Sequence, residues 1–205
     1  MADFRSIAAV GKSLKSYLDA GFAEQQPVSE PGFLATAEVI QTEALKDLEA
    51  AHGQPVISLL LYRVDFDKTM RASWSAVGSI DGNVHLPLDL HYLATAWADN
   101  AEHEHLLIGR TMELIEEIGA LSGPLLSPEA GWTANEAVQL CLEEVNTDDL
   151  MRTFESLACD FRLSIPYLAR IVVLSTANGT ATPDVLTHVQ GLRPEAAGNG
   201  AGGAA

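Results

Sequence analysis

The sequence predicts an α+β domain in which helices cover a sheet of about four strands. Three observations carry this. Leu86, Leu88, Leu90, Tyr92, Ala94 and Ala96 alternate with Pro87, Asp89, His91, Leu93, Thr95 and Trp97, the period of a strand with one apolar face. Phe4, Ile7, Ala8, Gly11, Leu14 and Leu18 instead recur at helical spacing. Helical and strand patterns then interchange along the chain, as in a mixed domain.

Taken in order, residues 3 to 20 read as an amphipathic helix with Gly21 as its C-cap. Pro27, Pro31 and Gly32 interrupt regular structure. Phe33 to Ala51 fits either a short strand or a helix, with helix favoured for its second half. Val56 to Val64 is short, apolar and bounded by Pro55 and an Asp-containing loop, which predicts a buried strand. Residues 67 to 83 are polar, end in Asp81-Gly82-Asn83, and are expected to form a loop. The strand from 86 to 97 follows, with Pro87 expected near its start or on an edge because proline donates no ladder hydrogen bond. Asp99 and Glu102 resemble a capping pair for a helix over about 100 to 119. Gly119 to Gly131 reads as an irregular connection. Val138, Leu140 and Leu142 mark a third strand, Thr147 the N-cap of a helix over 148 to 158, and Tyr167, Ala169, Ile171 and Val173 a fourth strand. The Gly- and Ala-rich end predicts a flexible tail, dividing the chain into a domain of residues 1–176 and a tail of 177–205.

Composition excludes several functions. The 205 residues carry 12 Lys and Arg against 28 Asp and Glu, a formal charge of -16, so neither nucleic acid nor an anionic membrane surface is an expected partner. No run approaches the ~20 apolar residues of a membrane helix, and Met1 to Ser6 lacks a secretory signal's apolar segment, which places the expected site of assembly in the cytoplasm. Cys141 and Cys159 sit in apolar patterns and read as reduced packing residues.

Candidate chemistry is sparse. Gly198 to Gly203 spells a dinucleotide-binding motif without the strand and helix that such glycines join. Glu102-His103-Glu104-His105 contains metal-ligand types, yet residues two apart on a helix point to different sides. His85, Asp89 and His91 share one strand face and could align ligands or an acid-base pair. A small metal-dependent enzyme built on either group is the alternative reading, beside a generic assembly adaptor. No nucleophile elbow or phosphate-binding loop is present.

Leu59-Leu60-Leu61-Tyr62-Arg63-Val64, then Leu86 to Trp97 with Pro87-Leu88-Asp89-Leu90-His91-Tyr92-Leu93 at its centre, then Leu106-Leu107-Ile108-Gly109-Arg110, occur in an order that resembles one family. It is the tube-cap or tail-terminator family of phage-tail-like contractile injection systems. Leu163-Ser164-Ile165-Pro166-Tyr167 and Arg170 extend the likeness, which runs from Ile7 to about Ser175 and departs from the family pattern in the loop after Val64 and in the tail. The matching positions are Leu61, Tyr62, Arg63, Leu88, Asp89, His91, Tyr92, Gly109, Arg110, Tyr167 and Arg170, which the resemblance makes structural or interface residues. It implies a non-enzymatic protein without metal or cofactor. Six copies would form a ring closing the baseplate-distal end of the inner tube and the last sheath layer, with the tube and sheath proteins as partners. The first helix, the loop 67 to 83 and the segment after Ser175 are the expected contact regions.

Overall fold

A computed structural model describes residues 2–50, 54–73, 84–157 and 159–176. Helix α1 (Ser6–Glu24) leads to strand β1 (Thr36–Ile40), helix α2 (Ala44–Ala50), strand β2 (Val56–Phe66), helix α3 (Lys68–Ser73) and strand β3 (Val84–Trp97). Helix α4 (Ala101–Ile118), strands β4 (Ala120–Ser122) and β5 (Ala137–Leu142), helix α5 (Thr147–Ser156) and strand β6 (Ser164–Thr176) complete the order. Among the described residues the strands form one six-stranded sheet, β1-β2-β3-β6-β5-β4, antiparallel except for the β1–β2 pair.

The α+β class is borne out, but the sheet has six strands among the described residues rather than about four. The two additional strands are β1, within the ambiguous 33–51 segment, and β4, within the irregular connection. Both are short edge strands. With five and three residues, neither is long enough to display a period.

The alternating residues of β3 divide the molecule. Leu88, Leu90, Tyr92, Ala94 and Ala96 face the main core with Ile57 and Leu59 of β2, Leu14 and Leu18 of α1, and Leu107 and Ile115 of α4. On the opposite face, Leu60, Leu93 and Trp97 join Leu45 of α2 and Phe154 of α5 in a smaller cluster. Each Leu or Phe side chain withdrawn from water contributes roughly 1.5–3 kcal/mol, so the larger cluster dominates stability.

Several boundaries differ from expectation for local reasons. Gly21 lies within α1, which continues to Glu24; a Cβ there would stand 2.5 Å from Leu114 Cδ2, so the glycine permits close approach to α4 and caps nothing. Asn100, not Asp99, caps α4 by accepting from His103 N, while Asp99 takes the His103 imidazole at 2.6 Å. Asn146, not Thr147, caps α5 by accepting from Asp149 N. Pro87 is the fourth residue of a central strand. It faces Asp67, just past the end of β2, and its carbonyl accepts from Asp67 N, so its missing N–H breaks no bond within the β2 ladder. Asp67 in turn caps α3, so the expected loop opens with a helix; residues 74–83 lie outside the described residues, as do Gly198–Gly203 and the whole segment 177–205.

Candidate interaction surface

Beyond the α2–α5 cluster, the second face of the sheet turns polar, and two β-bulges shape it. Between Leu61 and Arg63 the β2–β3 register shifts, so Tyr62 is an extra residue opposite β3. Tyr62 and Arg63 consequently reach the same imidazole, that of His91: the Tyr62 and His91 rings meet edge to face at 6.1 Å, and Arg63 Nη2 lies 3.1 Å from His91 Nδ1. The second shift sets Arg170 and Ile171 of β6 opposite Asp89.

Glu143, just after β5, is the hub. Its carboxylate accepts from Tyr62 Oη at 3.0 Å, from Arg63 Nη2 at 3.1 Å and from His91 Nδ1 at 2.8 Å. Three donors on one partly buried carboxylate fix the start of the connection from β5 to α5. Burial together with the Glu143 charge pushes the Tyr62 phenol up to about 12. Arg63 Nε also binds Asp65 Oδ2 at 3.0 Å, and both side chains are about half exposed.

Nearby, Arg170 Nη2 donates to Asp67 Oδ2 at 3.2 Å. Asp89 lies opposite Asp65 in the ladder, and its buried Oδ1 has no hydrogen-bond partner among the described residues. Burial, with Asp67 close by, raises its carboxyl above the usual value. Where β1 leaves the flank of β2, an open groove of about 470 Å³ lies between Thr42, Leu60 and Tyr62 on one side and Arg152, Thr153 and Leu157 on the other.

The motif residues thus fall into three groups. Tyr62, Arg63, Asp89, His91 and Arg170 gather on the polar face, joined by Asp65, Asp67 and Glu143, which sequence reasoning missed. Glu143 is 81 residues from Tyr62, and no local pattern signals such a pairing. Leu88, Tyr92 and Tyr167 are main-core residues with Leu61 packed against them. On α4, Gly109 faces open space, whereas Arg110 is mostly buried, pairing with Glu113 at 2.7 Å and reaching the Gly21 carbonyl at 3.4 Å near the C-terminus of α1.

The metal reading finds no geometry among the described residues: no three His, Cys, Asp or Glu side chains converge to hold an ion. His85 contacts Ser175 and His91 contacts Glu143, while His103 packs between Asp99 and the Phe33 ring and His105 is exposed. Cys141 and Cys159 are both partly buried, and Cys159 packs against the smaller cluster. No described helix is long and apolar enough to cross a membrane.

Comparison with known proteins places this architecture. The family model of the Pvc16 N-terminal domain matches residues 9–187. The chain belongs to the Pvc16 N-terminal domain family. By sequence, no curated protein matches it. Among solved structures, the sheath/tube terminator of PVC, an extracellular contractile injection system, in its extended state superposes with a TM-score of 0.53 at 15% identity, over 93% of this chain. The tube-terminating cap of the anti-feeding prophage gives 0.49 at 19% identity over 91% of this chain. This chain spans 64% of the first structure's length and 58% of the second's. The family resemblance carried by the Leu-Tyr-Arg-Val and Pro-Leu-Asp-Leu-His-Tyr segments agrees with the family match.

Proposed function

We propose that the chain is a structural terminator that closes the baseplate-distal end of the inner tube and the last sheath layer of a contractile injection system, acting as a ring of six copies. The observation that carries this reading is the family match over residues 9–187, with the shared fold of the PVC terminator beside it. A terminator works by shape: it binds the last tube layer and presents no tube-like face for further growth. Residues 1–176 would form the capping unit and 177–205 a tail, and the protein would act without cofactor, metal or catalysis, assembling in the cytoplasm away from nucleic acid and membrane. Arg63, Asp65 and Arg170, the charged and partly exposed members of the polar face, are candidate contacts to tube or sheath.

Electron microscopy of particles from a strain lacking the gene tests it. Tubes of uncontrolled length or sheaths that contract prematurely are expected, and normal particles would remove the reading.

A further inference from the structure

The free flank of β2 is a surface of a different kind. β1 ends at Ile40, opposite Leu60, while β2 runs on to Phe66. From Leu61 to Phe66 the strand therefore pairs with β3 on one side and with no strand on the other among the described residues. Asp67 N donates to Pro87 O at 3.0 Å. In the alternating antiparallel pattern, that bond turns the backbone groups of Arg63 and Asp65 toward β3 and those of Val64 and Phe66 outward. An unpaired row of this kind is a template for another strand.

Its sequence is complementary to itself in reverse. In an antiparallel alignment about Val64, Arg63 stands opposite the partner's Asp65, Asp65 opposite the partner's Arg63, and Val64 opposite the partner's Val64. The two-fold axis of such a pairing is perpendicular to the sheet, so each face meets the same face. Both charge pairs then lie on the polar face, where Arg63 and Asp65 are already 3.0 Å apart within one copy. On the other face Val64 and Phe66 are 43% and 46% exposed, and they would form one apolar patch with their counterparts. Val64 would exchange two backbone hydrogen bonds with its counterpart.

We infer that a second copy of this chain pairs edge to edge along Arg63–Asp65, joining the two sheets. The inference does not rest on the terminator reading. A two-fold contact is isologous and cannot repeat around a single six-fold ring, so it is distinct from the contact that would close such a ring. The net charge of -16 opposes self-association at low salt, an effect screened beyond about 8 Å at physiological ionic strength.

Sedimentation of the full chain in physiological salt, from micromolar to millimolar concentration, tests the pairing. The mass should rise from 21.9 kDa to twice that value. Asp65→Arg sets arginine against arginine and should weaken the dimer about tenfold. Val64→Pro removes the central N–H and should abolish the dimer with an unchanged circular dichroism spectrum. Mixing D65R with R63D chains restores both charge pairs and should restore the dimer, as a heterodimer. A wild-type chain that stays monomeric throughout would leave the edge to a strand from another protein and overturn the inference. An oligomer of unchanged mass in both V64P and D65R would overturn it equally.

Discussion

One face of the sheet is held by helices α1 and α4, the other by the shorter helices α2 and α5 together with a carboxylate. Under α1 and α4 the main core is continuous and apolar, and Gly21 lets α1 approach Leu114 of α4 closely. The opposite face has a small cluster beneath α2 and α5, after which Glu143 and its three donors take over. The first face stabilises through area removed from water, which is non-directional. The second relies on directional bonds between residues far apart in sequence, which fix local shape while leaving charged groups in reach of solvent. Stability and presentation are thereby separated onto two sides of one sheet.

That division is testable by substitution. The largest expected effect is Leu90→Ala in the main core, with a loss of about 3 kcal/mol in chemical denaturation. Leu93→Ala on the opposite face should cost less, because the open groove beside Leu60 leaves its surroundings freer to collapse. Equal losses would mean that the two clusters behave as one core. Gly21→Ala follows, at roughly 1–3 kcal/mol, since the new methyl must displace a buried Leu114. A wild-type melting temperature in that variant would contradict the close α1–α4 packing.

Glu143→Gln probes the polar hub. It removes the charge that three donors share and should destabilise by roughly 1–2 kcal/mol, with faster amide exchange in α5 than in α4. In an ultraviolet titration the Tyr62 phenol should drop from about 12 while staying above the ordinary 10.0, because burial is the larger cause of its shift. An unmoved phenol would show that Glu143 does not reach it in solution.

The smallest effect is expected at Asp89. Its carboxyl titrates above the usual 3.8 in the folded chain, so folding favours the protonated form. Stability from this group is fully present below the unfolded value and is lost as pH rises through the raised folded value. Asp89→Asn should therefore stabilise the protein at neutral pH, with the advantage disappearing in acid. A constant advantage across pH would assign the effect to something other than ionisation.

The two faces also differ in what could be read before folding. The helices α1 and α4 and the strands β2, β3, β5 and β6 follow from apolar spacing, which each segment carries locally. His91 and Asp89 could be placed on one strand face by the same count. Their partners could not: Glu143 follows a strand as an ordinary surface acid would, and Asp67 sits at the head of a segment that reads as loop. Gly21 reads as a cap because a glycine after a helical stripe signals an end, whereas the close approach it serves depends on Leu114, on another helix.

Local periodicity settled which residues leave water and therefore the class of the fold, because solvent exclusion acts on each side chain within its own turn or pleat. Only the assembled sheet decided the bulge that sets Tyr62 and Arg63 against one imidazole, the edge strands β1 and β4, and the meeting of Glu143 with three donors. Strand register and long-range hydrogen bonds are properties of pairs of segments, and a single segment carries no record of its partner.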